Sequence, residues 1–212
     1  MRPEILNFLT QHHKPKTYKP GEIIFSQGEP ATEIFYLICG LSLTYTIFED
    51  GRERNILMTW PDRLFGASSF FEGAPRRASA IAINPCQVIA VDRSAYDQCC
   101  RRFPDFPEYV LRELSRDIGA LFDELADSSM LSADVRVARF LCRRLANGQH
   151  SGTDEQPELL YSQELLAHVI GISRVSISQV ISRFAQKGWI ATGYRKITIL
   201  DAAALRRCAY PF

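Results

Sequence analysis

Across residues 17–92 apolar and polar positions alternate in short runs, each ending in turn-forming residues such as Gly, Pro, Asn or Asp. That period belongs to strands with unlike faces, and its even spacing predicts an antiparallel sandwich or barrel. Residues 22–25 precede the turn Gln27-Gly28-Glu29-Pro30, and 34–38 lead through Gly40 into 41–48. Asp50-Gly51, inside Glu49-Asp50-Gly51-Arg52, supplies the positive φ of a primed hairpin turn. Residues 55–60 return, Pro61-Asp62 turns again, and 78–83 and 86–91 close the set around Asn84-Pro85. Residues 66–77 are the least strand-like piece: small Gly66, Ala67, Ser68 and Ser69, then Phe70-Phe71 and Arg76-Arg77. A ligand loop is expected there.

Beyond Asp92 the apolar period becomes helical. A short helix over 94–102 stops at Phe103-Pro104-Asp105, and a longer one follows with Pro107 in its first turn. Leu111, Leu114, Ile118, Leu121 and Leu125 recur at intervals of three and four, flanked by Arg112, Glu113, Arg116, Asp117, Asp123 and Glu124. One amphipathic helix lying on its own sheet would show this pattern. A parallel coiled coil joining two chains fits the unbroken seam better. Residues 128–133 read as a hinge, 134–145 as another amphipathic helix and 147–158 as a polar loop.

The segment 163–182, QELLAHVIGISRVSISQVIS, has the pattern of a helix-turn-helix. Leu166, Ile170, Ile172, Ile177 and Val180 are spaced to seal two short helices onto one core, with Ala167 small at their crossing. Gly171 sits in the turn, where φ > 0 is usually required, and Ser173 is placed to cap the second helix. Outward positions Arg174, Val175, Ser178 and Gln179, with Ser173 and Ser176 at the helix start, suit a DNA major groove. Arg174 can reach guanine or a phosphate, Gln179 can hold adenine, and Val175 or the Ser178 region can pack on a thymine methyl. Beyond Gly188, residues 189–192 and 196–200 frame Gly193-Tyr194-Arg195, a hairpin with a basic tip. Arg183, Lys187, Arg195 and Lys196 are the expected phosphate contacts. A last helix spans 202–208.

Charge supports this division. Residues 1–136 hold 15 Lys and Arg against 19 Asp and Glu, a balance of −4, whereas 137–212 hold 10 against 5, a balance of +5. The basic excess lies with the helix-turn-helix, as phosphate contact requires. No apolar run reaches the ~18–20 residues that span a bilayer, and MRPEILNFLTQHHKPK is too polar for a signal peptide. A cytoplasmic protein is expected, without a membrane partner. Six cysteines (Cys39, Cys86, Cys99, Cys100, Cys142, Cys208) form no CxxC pair, and most fall in apolar runs as small core residues. Adjacent Cys99 and Cys100 leave a redox role open. A cupin-like enzyme needs two or three histidines on neighbouring strands, yet none occurs between His13 and His150. No GxSxG, Walker or HExxH motif is present either, so neither an enzyme nor a metal site is expected. A nucleotide-binding module of a kinase or channel would leave 163–200 without purpose. A helix-turn-helix used only for protein contact would not explain the arginines.

The order of these parts, with KPGEIIFSQGEPATEIFYLICG at 19–40, RLFG at 63–66 and the helix-turn-helix, resembles the Crp/Fnr family of bacterial transcription regulators. The likeness runs from about residue 15 to residue 205. It implies an α+β chain: a jelly-roll-like antiparallel β-roll that binds an effector over 1–104, a dimerisation helix over 105–131, and a winged helix-turn-helix over 132–212. It also implies a homodimer on a palindromic double-stranded operator, with RNA polymerase as a plausible partner. Cyclic AMP binders of the family carry Gly-Glu and Arg-Ser pairs in the roll and Thr-Ser on the dimer helix. Set beside that pattern, this sequence has Gly66-Ala67, Arg77-Ala78 and Leu121-Phe122. Losing several buried hydrogen bonds, at ~1 kcal/mol or more each, predicts that cyclic AMP is not the effector. The family's iron–sulfur branch uses N-terminal cysteines, and here the first is Cys39. Haem-binding relatives use axial ligands near the dimer helix; the four histidines, His12, His13, His150 and His168, lie outside the roll proper, leaving Cys39 as a remote alternative. Phe70, Phe71, Leu121 and Phe122 could enclose an apolar body, with Arg76 or Arg77 pairing an anionic head, or the phenylalanines could be plain core. IFEDG and RVSISQV look most like the branch answering halogenated aromatic acids. Relatives reading TTGA-type half-sites carry Glu and Arg where Val175 and Gln179 stand, which implies a half-site richer in A·T.

Overall fold

A computed structural model describes residues 1–146, 151–152, 157–159, 161–194 and 196–210, which divide into compact units at Met1–Asp123 and Glu124–Phe212. The first unit opens with α1 (Pro3–His12) and β1 (Lys16–Tyr18), then β2 (Ile23–Phe25), β3 (Glu33–Cys39), β4 (Ser42–Ile47), β5 (Glu53–Thr59) and β6 (Arg63–Phe65). After α2 (Ala67–Glu72) come β7 (Ser79–Ala82), β8 (Cys86–Asp92), α3 (Arg93–Arg102) and the start of α4 (Phe106–Met130). Two four-stranded antiparallel sheets, in the orders β1-β8-β3-β6 and β2-β7-β4-β5, form the roll.

Strand β3 shows why the roll has two cores. Its alternate residues Phe35 and Leu37 face the second sheet with Phe25, Phe65, Ala80, Ala82 and Val88. Ile34 and Tyr36 face outward and are covered by Ile5 and Leu9 of α1, Phe70 of α2, Ala95 and Cys99 of α3, and Phe106 and Val110 of α4. A strand buried on both faces has to be apolar throughout, hence the unbroken run IFYLI. Phe25, Phe35 and Phe65 stack inside, with ring centroids 5.3–6.1 Å apart.

Every expected strand is present to within about two residues. The differences lie in short elements. Residues 66–77, expected as a loop, contain α2, bounded by left-handed Gly66 (φ 72°) and Gly73 (φ 71°). Six residues are too few to show a helical period. Helix α1, whose Ile5 and Leu9 are one turn apart, and strands β1 and β6 were also not anticipated.

The second unit contains α5 (Ala133–Ala146), β9 (Ser151–Gly152), β10 (Pro157–Leu159), α6 (Gln163–Ile170) and α7 (Arg174–Gln186). Strands β11 (Ile190–Gly193) and β12 (Lys196–Ile199) and helix α8 (Ala202–Ala209) follow. The sheet order is β11-β12-β10-β9. Val137, Leu141, Leu159, Leu166, Ile177, Phe184, Ile197 and Leu205 are among its buried residues. Phe184 packs on Trp189 at 5.1 Å, and the Trp189 carbonyl accepts from the backbone N–H of Leu200 and Asp201. The stretch 147–158, expected as a polar loop, includes β9 and the start of β10; 147–150 and 153–156 lie outside the described residues.

Candidate nucleic-acid interface and effector region

Capping positions both helices of the helix-turn-helix. The Ser162 hydroxyl accepts from Leu165 N–H (3.1 Å) to start α6, and left-handed Gly171 (φ 66°) ends it. The chain then turns by 112° into α7, within the usual range for helix-turn-helix units. Ser173 Oγ accepts from Ser176 N–H (3.1 Å) and bonds to Ser176 Oγ (2.8 Å). The hydroxyls of Ser173 and Ser176 are therefore engaged in the cap that fixes α7. One side of α7 is sealed by Ile177, Val180, Ile181 and Phe184. The other side is bare: Arg174, Val175, Gln179, Ser182 and Arg183 are exposed, Val175 to 68%, with Ser178 half-buried between them.

At the wing, Gly193 pairs with Lys196, and Tyr194 stands at the tip with 91% of its surface exposed. Arg195 lies outside the described residues. Tyr194 was not singled out from sequence, because a turn tyrosine carries no periodic signal. Two expected phosphate contacts have carboxylate partners: Arg183 pairs with Asp134, and Lys196 Nζ lies 2.6 Å from Glu158.

In the first unit the structure separates the two candidate arginines. Arg76 is buried to 5% exposure, donating to the carbonyls of Gly66 (2.6 Å) and Glu33 (2.5 Å). Its guanidinium lies 4.4 Å from the Phe25 ring centroid and 5.3 Å from that of Phe35, and burial lowers its pKa. Arg77 is exposed and paired with Glu72 at 2.5 Å. The arginine beside Gly66 is thus Arg76, and setting Arg77-Ala78 against the family's Arg-Ser pair is out by one residue. The backbone explains this. Arg76 N–H donates to Glu29 and its carbonyl accepts from Gly28, both at 2.8 Å, which turns side chain 76 inward and 77 outward.

Phe70 is core rather than pocket wall, and Phe71 is partly exposed against it. Arg93, 4.0 Å from the Phe70 centroid, and Tyr96, 5.1 Å from that of Phe71, complete an aromatic cluster that the sequence did not reveal. Ala67 is buried, Ser68 exposed and Ala78 half-buried.

On α4 the expected seam divides. Leu114 packs with the outer core of the roll, whereas Leu111, Ile118, Leu121, Phe122 and Leu125 are exposed, Phe122 to 68%. Leu114 is therefore corrected from a seam residue to a roll contact: it follows Phe106 and Val110 at four-residue steps on the side facing the sheet. Glu113 on the same helix is buried to 2% and pairs with Arg63 and, at 2.6 Å, with Arg116. Arg63 also reaches Asp117 at 3.3 Å. In the sequence these residues are only flanking charges, because their partner Arg63 is distant along the chain.

Two antiparallel sheets with helices over one face, followed by a capped helix-turn-helix and a wing, define an effector-domain transcription regulator. Comparison agrees. Residues 15–103 match the cyclic nucleotide-binding domain family and 135–208 the Crp-like helix-turn-helix domain family. A CRP-like cAMP-activated global transcriptional regulator of Mycobacterium tuberculosis is 30% identical over 99% of this chain and 94% of its own. A CRP-family regulator structure from Thermus thermophilus is similar at 27% identity and TM-score 0.73, covering 92% of this chain and 96% of that one. FixK2 of Bradyrhizobium japonicum shares the fold at TM-score 0.77 and 21% identity, over 92% and 96% of the two chains. The chain belongs to the Crp/Fnr family of DNA-binding transcriptional regulators, which are not enzymes. Among the described residues no single helix is long and apolar enough to cross a membrane.

Burial pushes the Asp117 carboxyl from 3.8 up to about 6, against the pull of Arg63. A folded pKa above the unfolded value means that the folded chain binds this proton more tightly. This group's contribution to stability is therefore full below about pH 4 and is lost as pH rises through about 6. Asp117→Asn leaves Arg63 paired with Glu113. It is expected to melt higher than the parent at about pH 7.5, by of order 2 kcal/mol, with the gap closing near pH 4. Calorimetric scans across this range check it; a variant that melts lower at neutral pH contradicts the assignment.

Proposed function

We propose that two copies of the chain pair through the exposed row Leu111, Ile118, Leu121, Phe122 and Leu125. The pair sets two α7 helices into successive major grooves of a palindromic operator, ~34 Å apart. The observation that carries this reading is α7 itself, sealed on one side and bare over Arg174, Val175 and Gln179 on the other, with Ser178 half-buried between them. Gln179 holds adenine, Val175 meets a thymine methyl and Arg174 reaches guanine or phosphate. Ser173 and Ser176 set the helix start, and Arg183, Arg195 and Lys196 meet phosphates. The work divides as effector sensing over residues 1–104, pairing over 105–131 and DNA reading over 132–212, in the cytoplasm, with RNA polymerase as the partner of the bound dimer.

The effector is a small, mostly apolar organic acid rather than cyclic AMP. The M. tuberculosis relative is named as cAMP-activated, but the polar groups that a nucleotide needs are replaced here. Ala67 cannot accept a ribose hydroxyl, and Leu121 and Phe122 cannot bond to adenine. Arg76 is engaged by carbonyls, and Arg77 beside it leaves the roll. Phe71, Leu121 and Phe122 instead offer apolar surface, and Arg77, on exchanging its exposed Glu72 partner, a cation for an acidic head. Binding where roll and helix meet changes the angle of the paired helices and so the spacing of the reading heads.

Three outcomes are expected. Gln179→Ala relaxes selection at one base position by ~1–3 kcal/mol, measured by binding to single-base operator variants; an equal loss on every sequence makes Gln179 a positioning contact. Ile118→Glu sediments as a monomer and loses operator binding, whereas a stable dimer at micromolar concentration removes the row from the interface. Titration calorimetry with cyclic AMP shows no micromolar binding; a micromolar isotherm overturns the effector reading.

A further inference from the structure

Two cations on the proposed DNA side of the second unit are held by carboxylates from other elements. Arg183 lies one turn beyond Gln179 on α7 and grips Asp134 of α5 with two nitrogens, Nε at 3.2 Å from Oδ2 and a terminal nitrogen on Oδ1. On the wing, β10 pairs with β12 so that Glu158 lies opposite Thr198, while Leu159 and Ile197 turn into the core. Lys196, two residues before Thr198, shares the solvent face with Glu158, and their charged ends meet at 2.6 Å. All four side chains keep 30–45% of their surface in water. Ion pairs so exposed add little to stability. Arg174, at the start of the reading face, has no carboxylate partner among the described residues.

The consequence falls on DNA. Affinity for random duplex comes almost wholly from cations meeting phosphates, whereas selection comes from base edges. A phosphate that engages Arg183 or Lys196 has to displace, or share the cation with, a fixed carboxylate. We propose that Asp134 and Glu158 are specificity-determining residues, which hold Arg183 and Lys196 back from phosphates of random DNA so that the Arg174, Val175 and Gln179 face decides where the protein stays. This rests on α7 being the major-groove helix.

The test uses full-length Asp134→Asn and Glu158→Gln, singly and together, each checked for an unchanged melting curve. Binding is followed by fluorescence anisotropy over a salt series. The probes are a random-sequence duplex pool and the genomic fragments that the parent protein itself selects. Each substitution is expected to strengthen random-pool binding roughly threefold and to steepen the log–log salt slope by ~0.9. The selected fragments gain less, so the preference for them over random DNA falls. Asp134→Asn made in an Arg183→Gln background is expected to change nothing, which separates the pair from a general change in net charge. Unchanged or weaker binding to the random pool overturns the proposal, as does an undiminished effect in the Arg183→Gln background. If the parent protein selects no fragments, the reading of α7 falls as well; if it selects them and the variants behave like it, only this inference falls.

Discussion

The first unit depends on holding one carboxylate away from water. Glu113 is buried on α4 on the side that meets the roll, and an ionised carboxylate there is tolerable only with a fixed partner. Arg63 is that partner, with Arg116 on the opposite oxygen and Asp117 sharing the guanidinium. Removing one member of such a pair costs about 3–5 kcal/mol, because the other is left unpaired. The connection also has a direction: Arg63 opens β6, and Leu64, Phe65 and Gly66 follow it into the roll. The same helix is thus fixed to the effector domain through Glu113 and Leu114 while its other side carries large apolar residues in water.

The second unit solves a similar problem without buried charge. Helix α7 has one immobile side and one bare side. Four buried apolar residues on α7 supply the first, and the cap made by Ser173 sets the angle at which the bare side emerges. The cap is an N-terminal one, so the residues it orients best are those nearest the turn, Arg174 and Val175. Positions further along, such as Arg183, rely on partners outside the helix.

Patterns with a short period were legible in the sequence. The alternation in 17–92 and the spacing around Gly171 each follow from a face that must be buried, and each appears where expected. Apart from α1, whose ten residues bury only Ile5 and Leu9, what failed to show was of two kinds. Elements shorter than two turns, such as α2, have too few residues to display a period. Pairings between distant residues, among them Arg63 with Glu113, Arg76 with Glu33 and Arg183 with Asp134, are set by the fold after it forms. Leu114 belongs to an intermediate case: its spacing placed it correctly on an apolar face, but α4 has two such faces, and a linear pattern cannot assign it to one. The one-residue slip at Arg76 and Arg77 arose because adjacent arginines have no alternation to tell them apart.

That slip bears on what the roll can recognise. Arg76 is retained in the interior, where an anionic ligand would be drawn to it, yet the chain already satisfies it with two carbonyls and two aromatic rings. Gly66 makes this possible: a Cβ there would stand 2.9 Å from the Arg76 terminal nitrogen and 3.3 Å from both phenylalanine rings. An anion reaching Arg76 would have to replace neutral hydrogen bonds already made in a dry setting, and would gain only the difference between those bonds and charge-assisted ones. The glycine and the buried arginine therefore hold each other as packing partners with no ligand present. Retention of both is consistent with the fold of the family and does not imply its nucleotide chemistry.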